Sequence, residues 1–138
     1  MTALREIRDA LKSRLDTFYA GSGVQVYDTV PGSVEGPCVI VEPDAGDYHG
    51  TMGDGFTEHV LAVHVATHLG DRESAQDKID TMIAPNGTLS VKAGIKQDAT
   101  LGGVVKYADA QRYRDYGTRR YGDADYLMAT VEVTVLSS

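Results

Sequence analysis

The chain has 138 residues, 42% hydrophobic and 24% charged, with 13 Lys and Arg against 20 Asp and Glu. That is the size of one domain, able to bury a single core but too short to add a separate cofactor domain. The net charge of -7 argues against holding a phosphate backbone, which needs clustered Lys and Arg, and against attraction to anionic membranes.

Thr2 is placed to cap a helix running to about Tyr19. Leu4, Ile7, Leu11, Leu15 and Phe18 recur at three- and four-residue steps and form one stripe, with Arg5, Glu6, Arg8, Asp9, Lys12 and Asp16 off it. Gly21-Ser22-Gly23 stops the helix. Val24, Val26 and Tyr27 open a short strand. Cys38 to Glu42 is apolar on both faces up to its last residue, which suits an inner strand, and Pro37 and Pro43 bracket it. Residues 44 to 55 hold glycines and aspartates that cannot build a core and read as a loop or extended arm.

Phe56 to His68 returns to strand, with Leu61, Val63, Val65 and Thr67 on one face and Val60, Ala62, His64 and Ala66 on the other. Asp71 is a candidate N-cap for a second helix whose stripe is Ala75, Ile79, Met82 and Ile83, ended by Pro85-Asn86-Gly87. Residues 88 to 102 read as a short helix followed by a loop, with Leu89, Val91, Ile95 and Leu101 reaching the core. Gly102-Gly103 starts a closing hairpin with arms Val104 to Tyr116 and Ala124 to Leu136, joined by a polar stretch from Gly117 to Asp123. The second arm alternates cleanly. The first does so poorly after Tyr107, which a bulge or a face buried on another chain would explain. The sum predicts an α+β fold: a mostly antiparallel sheet packed on one face by two helices, with an extended loop and a long C-terminal hairpin. Several strands are apolar on both sides, and the leftover apolar surface points to a partner.

Single residues offer little chemistry. His64 and His68 lie four apart, but on a strand that separates them by roughly 13 Å, too far to share one metal. Asp44, Asp47 and Asp54 lack the alternating acidic spacing of a calcium loop. No nucleophile elbow, phosphate loop or dinucleotide fingerprint occurs, so no catalytic, cofactor or metal residue is assigned. Cys38 sits in an apolar run and reads as a small buried hydrophobe. No apolar run approaches the ~18 residues of a membrane span, and no leader pattern opens the chain, so a soluble protein in a reducing cytoplasm is expected. The richest polar cluster is Tyr107, Arg112, Tyr113, Arg114, Tyr116, Arg119, Arg120 and Tyr121, diluted by aspartates. Tyr and Arg are enriched at protein interfaces, and the acidic surroundings favour that role over nucleic-acid stacking. A second candidate interface is the Tyr48, His49, Met52, Phe56 segment.

In pattern, size and spacing the chain resembles the tail terminator (tail completion or neck) proteins of long-tailed bacteriophages. The resemblance is carried by the helix Leu4 to Phe18, the strand Pro37 to Pro43, the strand Val60 to Ala66, the helix Ser74 to Ile83 and the final strand Tyr126 to Val135. It implies a structural, non-catalytic virion protein without cofactor, assembled in the bacterial host cytoplasm. It further implies a homo-oligomeric ring of six subunits that caps the completed tail tube and meets the head-tail connector or head-closure protein. Genomic DNA would pass the channel without specific binding, and no membrane would be involved. The two interface segments would serve as the unlike patches of a head-to-tail ring. Other readings are a head-closure ring or minor tail component, a small α+β enzyme with an intersubunit site, and a monomeric binding module.

Overall fold

The computed structural model describes residues 4–27, 37–47, 57–70, 72–121 and 124–137. The elements in chain order are α1 (Leu4–Tyr19), β1 (Gln25–Tyr27), β2 (Cys38–Asp47), β3 (Thr57–His68), α2 (Arg72–Ile83), α3 (Val91–Lys96), β4 (Tyr107–Tyr121) and β5 (Ala124–Ser137). The strands form one sheet in the order β1-β2-β3-β5-β4. Among the described strands only the β1–β2 pair is parallel; β2–β3, β3–β5 and β5–β4 are antiparallel. β3 and β4 thus run in the same direction with β5 between them, and α2 and α3 make the crossover. The three helices share one core with the sheet, as the α+β reading predicts, the short α3 joining the two long helices.

Ile7, Leu11 and Leu15 of α1 are fully buried, and the fourth core contact is Tyr19. The expected first member of the stripe, Leu4, is 37% exposed, and the expected last, Phe18, is only half-buried. Phe18 lies over Gly94 of α3, where a Cβ would come within 2.8 Å of the ring's Cγ. Tyr19 can be buried because its hydroxyl donates to the Leu89 carbonyl at 2.7 Å; burial pushes its pKa well above the ordinary value. Gly21 and Gly23 take positive φ and turn the chain out of the helix. Ser90 caps α3: its hydroxyl accepts from the Ala93 amide at 3.1 Å and donates to the Ala84 carbonyl.

Three strand boundaries differ from the sequence reading. β2 does not stop at Pro43 but continues to Asp47, with a register shift between Pro43 and Ala45. Among the described residues β1 pairs with Cys38 to Ile40 of β2, and Pro43 pairs with Leu61 right at the register shift, a place where a missing amide is tolerated. Residues 44–47 are therefore strand rather than loop. β4 starts at Tyr107 rather than Val104 and runs to Tyr121, so 117–121 are also strand, paired against Ala124 to Met128. Thr, Arg and Tyr fit a pleated surface well enough to extend the ladder that β5 offers. The irregular first arm is explained by two register shifts, Ala110/Arg112 and Arg114/Gly117, with Asp115 at φ 57 in the second. The Thr2 and Asp71 caps lie outside the described residues.

Candidate subunit interface

The helices cover one face of the sheet. Alternation along each strand sends the other residues to the opposite face. There the register aligns Ile40, His64, Thr130 and Arg114 across β2, β3, β5 and β4, with Glu132 paired to Arg112 beside them. Glu42 lies diagonal to His64. The imidazole joins the two neighbours: its Nε2 is 2.7 Å from a Glu42 carboxylate oxygen, and its Nδ1 is 2.8 Å from the Thr130 hydroxyl. One hydrogen-bonded chain therefore ties three strands together across the open face.

The next pair in the band is ionic. Glu132 accepts from Arg112 Nη2 at 3.0 Å and from Arg114 Nε at 2.7 Å. The bond from Arg112 is the largest cause holding its carboxyl below the usual range, with the bond from Arg114 adding to it against desolvation. Arg114 also pairs with Asp115. Ile40, Glu42, His64, Arg114, Arg119 and Thr130 line a cleft of about 200 Å³. On its far side Cys38, Ile40, Ala66, Tyr126 and Met128 form a small apolar cluster separate from the main core. Cys38 is fully buried there, and burial pushes its thiol up to about 11, which keeps it unreactive.

All six of the described interface candidates lie on β4, but its pleat divides them. Arg112, Arg114 and Arg119 belong with the open-face band, and Tyr107 pairs with Leu136 at the strand's start. Tyr113 pairs with Val131 and turns to the helix side. Arg120 is exposed opposite Asp125. Tyr107 and Tyr113 are 54% and 56% exposed, large apolar rings left on an edge strand. Tyr116, at 37%, is held to α2 by donating to Asp80 at 2.8 Å. Desolvation first, then that bond, pushes its hydroxyl up to about 12. Tyr48, His49, Met52 and Phe56 lie outside the described residues.

Sequence reasoning missed Glu42, His64, Thr130 and Glu132 as a group. The alternation of β3 and β5 places each on the same face, but their adjacency depends on strand order and register. Arg112→Glu with Arg114→Glu would crowd three carboxylates around position 132, so that pair tests folding as well as assembly.

Among the described residues, no three His, Cys, Asp or Glu side chains converge as a metal would need, and no helix is long and apolar enough to cross a membrane. No protein-family model matches the chain, and no curated protein matches it.

Proposed function

We propose that this chain is a structural subunit that completes itself against copies of itself: a ring-forming tail terminator of a long-tailed bacteriophage, with six subunits, seated on the finished tail tube and facing the head connector. The observation that carries the reading is the outer strand β4. It offers 15 residues along one sheet edge, with two large exposed tyrosines and a run of arginines. Exposed edges are usually short, charged or covered, and Tyr and Arg are the side chains that dominate interface energetics. The order of elements, which resembles that family, supplies the kind of assembly. The net charge of -7 suits a channel along which DNA slides without sticking.

The Glu42–His64–Thr130 chain resembles a hydrolytic relay in its residue types. Thr130 sits in the middle of β5, paired on both sides and 5% exposed. The ladder occupies the local amides that an oxyanion would need. We read the chain as a clamp across the open face.

The deciding experiment is solution mass of the full chain with negative-stain images, alone and with purified tail tubes. Six-membered rings, free or at the tube's head-proximal end, are the expected result. A monomer that ignores tubes at high concentration would overturn the proposal.

A further inference from the structure

Asn86 is the only asparagine in the chain, and Gly87 follows it. The pair lies in the connection between α2 and α3, directly after Pro85, where such a dipeptide marks a turn. Both residues are exposed. Gly87 takes φ 120, a conformation that only glycine adopts readily, and a Cβ built on it would meet nothing within 4 Å. Two bonds fasten the turn. The Ser90 hydroxyl donates to the Ala84 carbonyl, and the Ser90 amide donates to the Gly87 carbonyl at 3.4 Å. Neither uses the Gly87 amide, which donates no hydrogen bond among the described residues.

Asparagine is a chemically labile side chain. Its carbonyl carbon can be attacked by the amide nitrogen of the next residue, and two things usually hinder the approach: a following side chain and a hydrogen bond that holds the amide. Both are missing at Gly87. In the attack a bond forms from the Gly87 nitrogen to Asn86 Cγ, and the Cγ–Nδ2 bond breaks. The side-chain NH₂ group leaves with the Gly87 amide proton as ammonia. Solvent water then adds across either carbonyl–nitrogen bond of the resulting succinimide. Opening at Cγ gives aspartate. Opening at the Asn86 main-chain carbon gives isoaspartate, whose backbone runs through the side-chain carbons. No electron is gained or lost, and water is the only co-reactant, which the exposed turn admits.

We infer that Asn86–Gly87 is a site of spontaneous covalent modification. There the turn gains a carboxylate and, in the isoaspartate form, an extra main-chain carbon inside the loop that the Ser90–Ala84 bond closes. This holds whether or not rings form. The test ages the full chain at mildly alkaline pH beside a free peptide of residues 79–92 and beside the Asn86→Gln variant. Tryptic mapping follows the mass change from amide to acid in the fragment 79–92, with the unaged sample subtracted, and fragmentation places it. The expected result is conversion at Asn86 within about ten-fold of the peptide's rate, a barrier difference of about 1.4 kcal/mol at most. The Asn86→Gln fragment should stay unchanged, because glutamine must close a larger and slower ring. Slower conversion in the folded chain than that margin allows would show that the turn keeps the Asn86 carbon from the amide, and would overturn the assignment. An equal mass change in the Asn86→Gln fragment would overturn it too.

Discussion

The two faces of the sheet are built from similar strands but solve different problems. Under the helices, Val39, Val41, Leu61, Val63, Val65, Ala129, Val133 and Val135 meet Ile7, Leu11, Leu15 and Ile79 in a mainly apolar layer, with Thr67, Ser90 and the Tyr19 hydroxyl as its buried polar groups. On the open face an apolar cluster at one end gives way to a band of two hydrogen-bonded groups, Glu42, His64 and Thr130 in one and Glu132 with Arg112 and Arg114 in the other. An apolar layer gains from area removed from water and tolerates little change in volume. A paired polar band gains little net energy, but leaving one member unpaired is costly, so it fixes register more than it adds stability. Stability should therefore reside on the helix side. The open face and the β4 edge remain to set geometry and contacts.

The largest break in that contrast is Leu15→Ala, a cavity in the fully buried face of α1. Its expected cost is about 2–5 kcal/mol, read as a lowered urea midpoint with unchanged slope. Gly94→Ala comes next. In an ordinary helix interior this change helps by about 0.8–1 kcal/mol. Here the new methyl meets the Phe18 ring at 2.7 Å, so a loss of about 1–3 kcal/mol is expected from overpacking. A gain in melting temperature would show that α1 and α3 can part without cost.

Open-face changes should be smaller. Thr130→Val keeps the shape but removes the partner of His64 Nδ1, for an expected loss of about 1 kcal/mol. A loss as large as that of Leu15→Ala would make the band a second core rather than a clamp. Glu132 gives the band a pH signature. Its arginine partners hold its folded pKa below the unfolded value. Its contribution is thus fully present above the unfolded carboxylate range and is lost as pH falls through the folded value. Glu132→Gln should flatten the acid limb of a stability-pH profile, with the larger loss in the neutral region, where the carboxylate's contribution is present, and the smaller change in acid.

Element types and their order were legible in the sequence because their signals are local. Ile7, Leu11 and Leu15 repeat at helical spacing, Leu61, Val63 and Val65 alternate, and Leu89, Val91, Ile95 and Leu101 were expected inward and pack with the core. The failures are all non-local. Pro43 would end a strand in a regular ladder, but it sits at a register shift between β2 and β3, where the missing amide is tolerated. Residues 117–121 look like a turn until β5 is known to supply partners as far as Ala124. The arginines of β4 were singled out by composition, but their shared acceptor Glu132 lies 18 and 20 residues along the chain. His64 and Thr130 are 66 apart. No spacing rule joins them without the strand order. Phe18, expected at the core, packs against its edge, its ring over Gly94, which has no Cβ to exclude it.

The smallest stability effects should accompany the sharpest functional ones, at the exposed tyrosines. Tyr107→Ser and Tyr113→Ser both remove rings more than half exposed, and each should change stability by no more than about 0.5 kcal/mol. The two rings sit on opposite sides of the β4 pleat. Tyr113 lines a groove on the helix side of β4 with Met82, Ile83 and Val131, whereas Tyr107 pairs with Leu136 at the start of the strand and is not among the residues lining that groove. If copies join through the groove, Tyr113→Ser should weaken assembly by the ten-fold or more that loss of an aromatic anchor brings, about 1.4 kcal/mol or more, and Tyr107→Ser should leave it near that of the parent chain. The reverse ranking, measured by mass photometry across a dilution series, would move the contact to the open face, where the arginines of the same strand lie. Equal losses would place it along the β4 edge itself, since strand addition there would bring both faces of the pleat against the neighbour.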